Sequence, residues 1–213
     1  MFNMMKNFLV IAVWVMLATS SITHATPMFD LGTEGSFGSV GNSNINLGFD
    51  FTISSQINVG GLGVWDIVPL GLTQSFQVGL WNNLGELLAS TTVTSESTAV
   101  ASANENGQWL FNYFTPFAIN PGRYVLGLFQ EATGPDVLGY GFGQSLIDTD
   151  PAFTYGGTRY SLSGSFGIPY SSSDPPGGWF GPNLDVARVP APATLALFCL
   201  GLAGLAASRR RKV

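Results

Sequence analysis

Cysteine and histidine are nearly absent from this chain. Of 213 residues, one is a cysteine (Cys199) and one a histidine (His24). Lysine occurs only as Lys6 and Lys212, and no acidic residue precedes Asp30 or follows Asp185. With one cysteine, no intramolecular disulfide can form, so the chain must be held by a core. Without histidine or cysteine between residues 26 and 187, a zinc site of the usual nitrogen and sulfur ligands cannot be built there. Ser-His-Asp, Cys-His and serine-lysine catalysis are excluded from the same stretch. Charged residues make up only 10% of the chain. The middle carries all thirteen acids and, among bases, only Arg123 and Arg159. A surface of that sign repels phosphate backbones, which excludes nucleic acid as a partner.

The middle is rich in Phe, Gly, Ser, Thr and Asn, a mixture suited to packed strands joined by tight turns. Some 160 residues are ample for one core. Leu47, Phe49, Phe51 and Ile53 alternate with Gly48, Asp50, Thr52 and Ser54, which predicts a strand with one face to a core and one to water. Phe76, Val78 and Leu80 form a second such face. Asn82-Asn83-Leu84-Gly85 reads as a turn with Gly85 at positive φ, and Glu86 to Val93 returns as the hairpin partner. Trp109 to Phe117 is apolar on both faces and predicts a central strand. Asn120-Pro121-Gly122 fits a type II turn before a strand from Arg123 to Phe129. Later strands are expected at Val137 to Phe142, Tyr160 to Phe166 and Trp179 to Val186, with Asp174-Pro175-Pro176-Gly177-Gly178 as a loop. The fold expected is all-β, an antiparallel β-sandwich or jelly roll, flanked by a signal-peptide helix and a single C-terminal membrane helix.

The two ends carry the clearest signals. Lys6, the apolar run Phe8 to Ala18 and the small residues of Thr23-His24-Ala25 have the three-part form of a secretory signal peptide, with cleavage expected after Ala25. Signal peptidase and a Sec-type translocon are the partners this implies. The rival is an uncleaved anchor, for which a run of about 11 apolar residues is short. At the other end, residues 188–213 contain Pro190-Ala191-Pro192, an uncharged apolar segment from Ala193 to Ala207, and the basic cluster Arg209, Arg210, Arg211 and Lys212. As a helix, about 15 residues span roughly 22 Å, less than a hydrocarbon core near 30 Å. The prolines mark its outer boundary, and the basic cluster favours the cytoplasmic side. The middle, residues 26–187, would then face away from the cytoplasm.

This tail resembles the PEP-CTERM sorting domain of Gram-negative bacteria: a Val-Pro-Glu-Pro-like motif, a short Leu/Gly/Ala helix and a terminal arginine cluster. Ala191 stands where that family usually has glutamate. The resemblance implies an exosortase as partner and a transient stay in the inner membrane with the domain periplasmic. It further implies release to the cell surface or exterior and an association with exopolysaccharide or biofilm. An ordinary tail anchor is the rival. The sorting enzyme supplies the nucleophile in that family, which leaves Cys199 as an apolar tail residue. The stretches LGFDFTIS, VGLWNNLGELLAS, GQWLFNYFTPFAINPGRYVLGLF and GGWFGPNLDV together resemble uncharacterised β-sandwich domains of secreted bacterial proteins.

For the middle the expectation is a non-enzymatic surface or matrix component without a cofactor. Two rivals stay open. A carboxylate pair among Asp66, Asp136, Asp148 and Asp150 would suit a glycoside hydrolase. A carbohydrate-binding module would use tryptophan, because flat rings stack on sugars. Among Trp65, Trp81, Trp109 and Trp179, Trp81 falls opposite the Phe76-Val78-Leu80 face and is the one expected to be exposed. Asp148-Thr149-Asp150 offers oxygen ligands of the kind calcium takes, without EF-hand spacing. Gly60-Gly61-Leu62-Gly63 is too short for a dinucleotide fingerprint and lies in strand-like surroundings.

Overall fold

The computed structural model describes residues 26–33, 36–37, 43–67, 71–132, 141–142, 146–147, 149–173, 178 and 180–187, all within the compact unit Ala25–Ala187. The signal peptide, the cleavage residue Ala25, the Pro190-Ala191-Pro192 motif, the apolar helix and Arg209 to Lys212 lie outside the described residues. No helix among the described residues is long and apolar enough to cross a membrane.

Among the described residues, fourteen strands follow one another: β1 (Asp30–Leu31), β2 (Ser36–Phe37), β3 (Ile45–Ile53), β4 (Ile57–Ile67), β5 (Phe76–Asn82), β6 (Leu87–Val93), β7 (Thr98–Ala101), β8 (Gly107–Ile119), β9 (Gly122–Gln130), β10 (Gly141–Phe142), β11 (Leu146–Ile147), β12 (Phe153–Leu162), β13 (Ser171–Ser173) and β14 (Pro182–Val186). They build a six-stranded sheet in the order β13-β12-β3-β9-β5-β6 and a four-stranded sheet in the order β14-β4-β8-β7. Two short ribbons, β1-β11 and β10-β2, accompany them. Every pairing among the described residues is antiparallel. The expected all-β sandwich is the observed architecture.

Alternation sets the core. Leu47, Phe49, Phe51 and Ile53 on β3 are buried, as are Phe76, Val78 and Leu80 on β5 and Leu126 and Leu128 on β9. The predicted hairpin β5-β6 forms, and Gly85 takes a φ of 82°. The Asn82 side chain stabilises its turn: Oδ1 accepts from the amides of Leu84 (2.9 Å) and Glu86 (3.0 Å). A left-handed glycine is what such a turn requires: space around Gly85 is open, but a φ of that sign strains any residue with a Cβ.

Four expectations need correction. Gly122 does not adopt the positive φ of a type II turn, a conformation limited among described glycines to Gly71, Gly85 and Gly178. The 119–122 connection crosses from the four-stranded to the six-stranded sheet, and the Tyr124 hydroxyl donates to Asn120 O (2.7 Å) to hold it, in the manner of a tyrosine corner. β8 is buried on both faces only at Trp109, Leu110 and Phe111. Past Phe111 its β7 neighbour ends, and Tyr113, Thr115, Pro116 and Ala118 are exposed. The strand expected at Tyr160 to Phe166 runs instead from Phe153 to Leu162, with a register shift between Tyr155 and Gly157 that breaks the alternation. The side of β3 expected to meet water is covered at Asn46, Gly48 and Asp50.

Arg123 and Arg159 lie over Asp50, and elsewhere the cover is the segment Ser163–Tyr170. It crosses three cross-strand glycines: Gly48 and Gly79 both stand opposite Gly127. A Cβ on Gly127 would meet Pro169 at 2.9 Å, and one on Gly79 would meet Phe166 at 2.7 Å. Asn46 fastens the strap, its Nδ2 donating to Ser163 Oγ and Ser165 O (both 3.0 Å) and its Oδ1 accepting from Gly167 N (2.9 Å).

The two sheets meet at an aromatic cluster centred on Phe29, which precedes β1. Its ring lies 5.6 Å from Phe49 and 5.8 Å from Phe153 in the six-stranded sheet, 5.5 Å from Trp109 in the four-stranded sheet and 5.9 Å from Phe180. Edge-to-face contacts of this kind add to burial. Phe29→Ala is expected to lower unfolding free energy by about 3–5 kcal/mol, because both sheets line the cavity left behind. Urea unfolding of wild type and variant measures it; a loss below about 1 kcal/mol contradicts the packing described.

Candidate functional site

The chain places its few functional groups in two constellations. The first lies beside the strap, where Arg159 Nη1 donates to Tyr170 O (3.5 Å). Asp50, on the outer side of β3, is buried and faces both arginines of the domain. Arg123 on β9 donates through Nε (2.7 Å) and Nη2 (2.5 Å) to Asp50 Oδ2, and Arg159 on β12 donates through Nε (2.8 Å) to Oδ1. The diagonal register explains it: Thr52 pairs with Arg123 and Gly48 with Arg159, so the arginines flank Asp50 from either side. Gly156, opposite the carboxylate, leaves it room. The cluster clamps three adjacent strands together. Arg123 remains 58% exposed and Arg159 23%. Arg159→Met is therefore expected to cost about 1–3 kcal/mol and Arg123→Met clearly less, since solvent screens the more exposed pair. Denaturant midpoints check the order; equal losses contradict it.

The second constellation is the seat of the first described residues. Thr26 N donates to Asp185 Oδ1 (2.7 Å), and Val186 N donates to Thr26 O (2.9 Å). Met28 N donates to Leu184 O, and Asn183 Nδ2 to Phe29 O (both 2.8 Å). The Asp30 carboxylate accepts from Leu31 N, Ser102 Oγ, Ala103 N and Trp109 Nε1 at 2.5–3.0 Å. Asn104 Nδ2 donates to Gly32 O (2.6 Å). Burial pushes the Asp185 carboxyl from 3.8 up to about 6, and the Thr26 N–H only partly offsets it. Tyr113, exposed at one side, stands beside it, its phenol pushed up to about 12 by partial burial and by the charge of Asp185. Because the folded carboxyl titrates above its unfolded value, its stability contribution is complete below about pH 4 and is lost as pH rises through about 6. In the chain with Thr26 still peptide-linked, Asp185→Asn should remove that part of the pH dependence; an unchanged slope in thermal melts contradicts it.

The other candidates are placed as follows. Trp81, expected exposed, is only 4% so: its ring lies 5.4 Å from Phe166 of the strap, and no open face remains for a sugar. Trp65 and Trp109 are fully buried, paired across β4 and β8 with centroids 5.1 Å apart. Asp66 is buried and accepts from Gln108 Nε2 (3.1 Å). Asp150 Oδ1 accepts from Ala152 N (2.8 Å), which makes it a turn residue. Trp179, Asp136 and Asp148 lie outside the described residues. Among the described residues, no group of three or more Asp, Glu, His or Cys side chains is placed to hold a metal ion. Sequence reasoning missed the Asp50 cluster and the Thr26 seat. The first had a signal, two isolated arginines in an acidic domain.

An all-β domain followed by a sorting tail is the class this chain falls in. The model of the family described as "Domain of unknown function (DUF4082)" matches residues 33–175, and the chain belongs to that family. The model of the PEP-CTERM protein-sorting motif matches residues 188–212. Comparison with curated proteins and with solved structures returned no match. The motif implies an exosortase as processing partner and a protein exported and sorted to the cell surface or extracellular space.

Proposed function

We propose that this chain is a non-enzymatic component of the cell surface or extracellular matrix, associated with exopolysaccharide and delivered by cleavage at both ends. In this reading signal peptidase cuts after Ala25, the tail holds the domain briefly on the periplasmic side of the inner membrane, and an exosortase acts at Pro190-Ala191-Pro192. The observation that carries it is the match to the sorting motif at 188–212. Further support comes from the carboxylates. Asp30, Asp50, Asp66, Asp150 and Asp185 each accept a hydrogen bond that ties one part of the fold to another or caps a turn. These structural roles weigh against Asp66 and Asp150 as a catalytic pair. The glycan-binding reading loses its first candidate with the burial of Trp81.

The tail supports a transient stay. Its apolar segment is short, and Gly201 and Gly204 each lower helix stability by about 1 kcal/mol relative to alanine. Mass spectrometry of the extracellular protein is expected to find chains without Arg209 to Lys212. Deleting the exosortase, or replacing Pro190 and Pro192 by alanine, should leave full-length tails in the inner membrane. Extracellular protein that still carries the basic cluster contradicts the proposal.

A further inference from the structure

We infer that the α-ammonium group created at Thr26 by signal-peptide cleavage seats on the Asp185 carboxylate as a buried ion pair that locks the N-terminal segment into the sandwich. This rests on the reading that the cut falls after Ala25, and it goes beyond that reading by giving the new terminus a structural task.

The geometry comes from the folded domain itself. Thr26 N is 2.7 Å from Asp185 Oδ1, although the residues are 159 positions apart. Asp185 is buried, and its Oδ2 lies against the backbone of Gly60, where a Cβ would come within 2.7 Å. The pairing of Thr26 O with Val186 N and the Pro27-Asp185 bridge hold the nitrogen in place from the other side. Before cleavage the nitrogen is a neutral amide, which offers the carboxylate one donor. Hydrolysis of the Ala25–Thr26 peptide bond adds water across it: the carboxylate leaves with Ala25, and the amine on Thr26 takes up a proton. The same nitrogen then offers three donors and a full positive charge at the same place. Charge-assisted bonds to a buried carboxylate are about twice as strong as neutral ones. Among the described residues, both arginines are committed to Asp50, and processing adds a cation at Asp185.

The domain's composition supplies the assay. Between Thr26 and Ala187 there is no lysine, and the chain from Thr26 to Val213 has two amines, the terminus and Lys212. Three purified chains in detergent suffice: Thr26–Val213, the same chain preceded by Ala25, and Thr26–Val213 carrying Asp185→Asn. Acylation near neutral pH is followed by peptide mass spectrometry, with Lys212 as internal reference. In Thr26–Val213 the terminal amine should react at least about tenfold more slowly than in the Asp185→Asn chain, the effect of one unit in its pKa. In the Ala25-extended chain it should react at the rate of an ordinary terminus, and that chain should melt at a lower temperature. Should Asp185→Asn fail to fold, the extended chain decides alone. Equal acylation in the Thr26 and Ala25 chains overturns the inference, as does slow acylation that persists in Asp185→Asn. N-terminal sequencing of the naturally exported protein tests the cleavage reading separately, because the three chains have defined ends whatever the cell produces.

Discussion

The aromatic junction around Phe29 is the contact on which the sandwich depends. No disulfide is available, and few charges are, so the sheets are held chiefly by burial. Phe29 is the residue whose ring reaches Phe49 and Phe153 on one side and Trp109 on the other. It sits on a segment with little secondary structure of its own, fixed by bonds at almost every residue: Thr26 and Met28 to β14, Phe29 O to Asn183, Asp30 to the turn before β8, Gly32 to Asn104. Remote polar anchors thus hold an apolar wedge in place. The wedge begins where the signal peptide is expected to end, so export and completion of the core fall at the same point of the chain.

The outer side of the six-stranded sheet obeys a second constraint. A sandwich face normally ends in polar side chains and water. Here a row of glycines flattens the face, and the strap lies in the shallow track, carrying Phe166 over Trp81 and Pro169 over Gly127. Next to it, Asp50 joins β3, β9 and β12 through two arginines. These are the positive charges of an otherwise acidic domain, and both are paired with Asp50, which leaves the remaining surface charge negative. Such an exterior suits a component of a hydrated matrix and disfavours polyanions.

Much of this was legible in the sequence, and what was not has physical causes. Period-two alternation at Leu47–Ile53 and Phe76–Leu80 located β3 and β5, and Asn82-Asn83-Leu84-Gly85 located the hairpin turn from β5 to β6. β4 was seen only as strand-like surroundings, because Gly60, Gly61 and Gly63 carry no side chain to alternate. β12 was placed late for the same reason, with Gly156 and Gly157 at its register break. Trp81 was expected in water because alternation tells which side of a sheet a residue takes and not what covers that side. The Thr26 seat joins the two ends of the domain, and no local pattern could point to it. The sorting tail, in contrast, was readable because its parts are contiguous.

The central claim is that the N-terminal segment is part of the cooperative core. Amide hydrogen exchange on the exported protein tests it most directly. Met28 N–H, bonded to Leu184 O, and Val186 N–H, bonded to Thr26 O, should be protected as strongly as Leu126 and Leu128 at the centre of β9, exchanging only when the whole domain unfolds. Rapid exchange at Met28 and Val186 while β9 stays protected would show a fraying terminus and contradict the account.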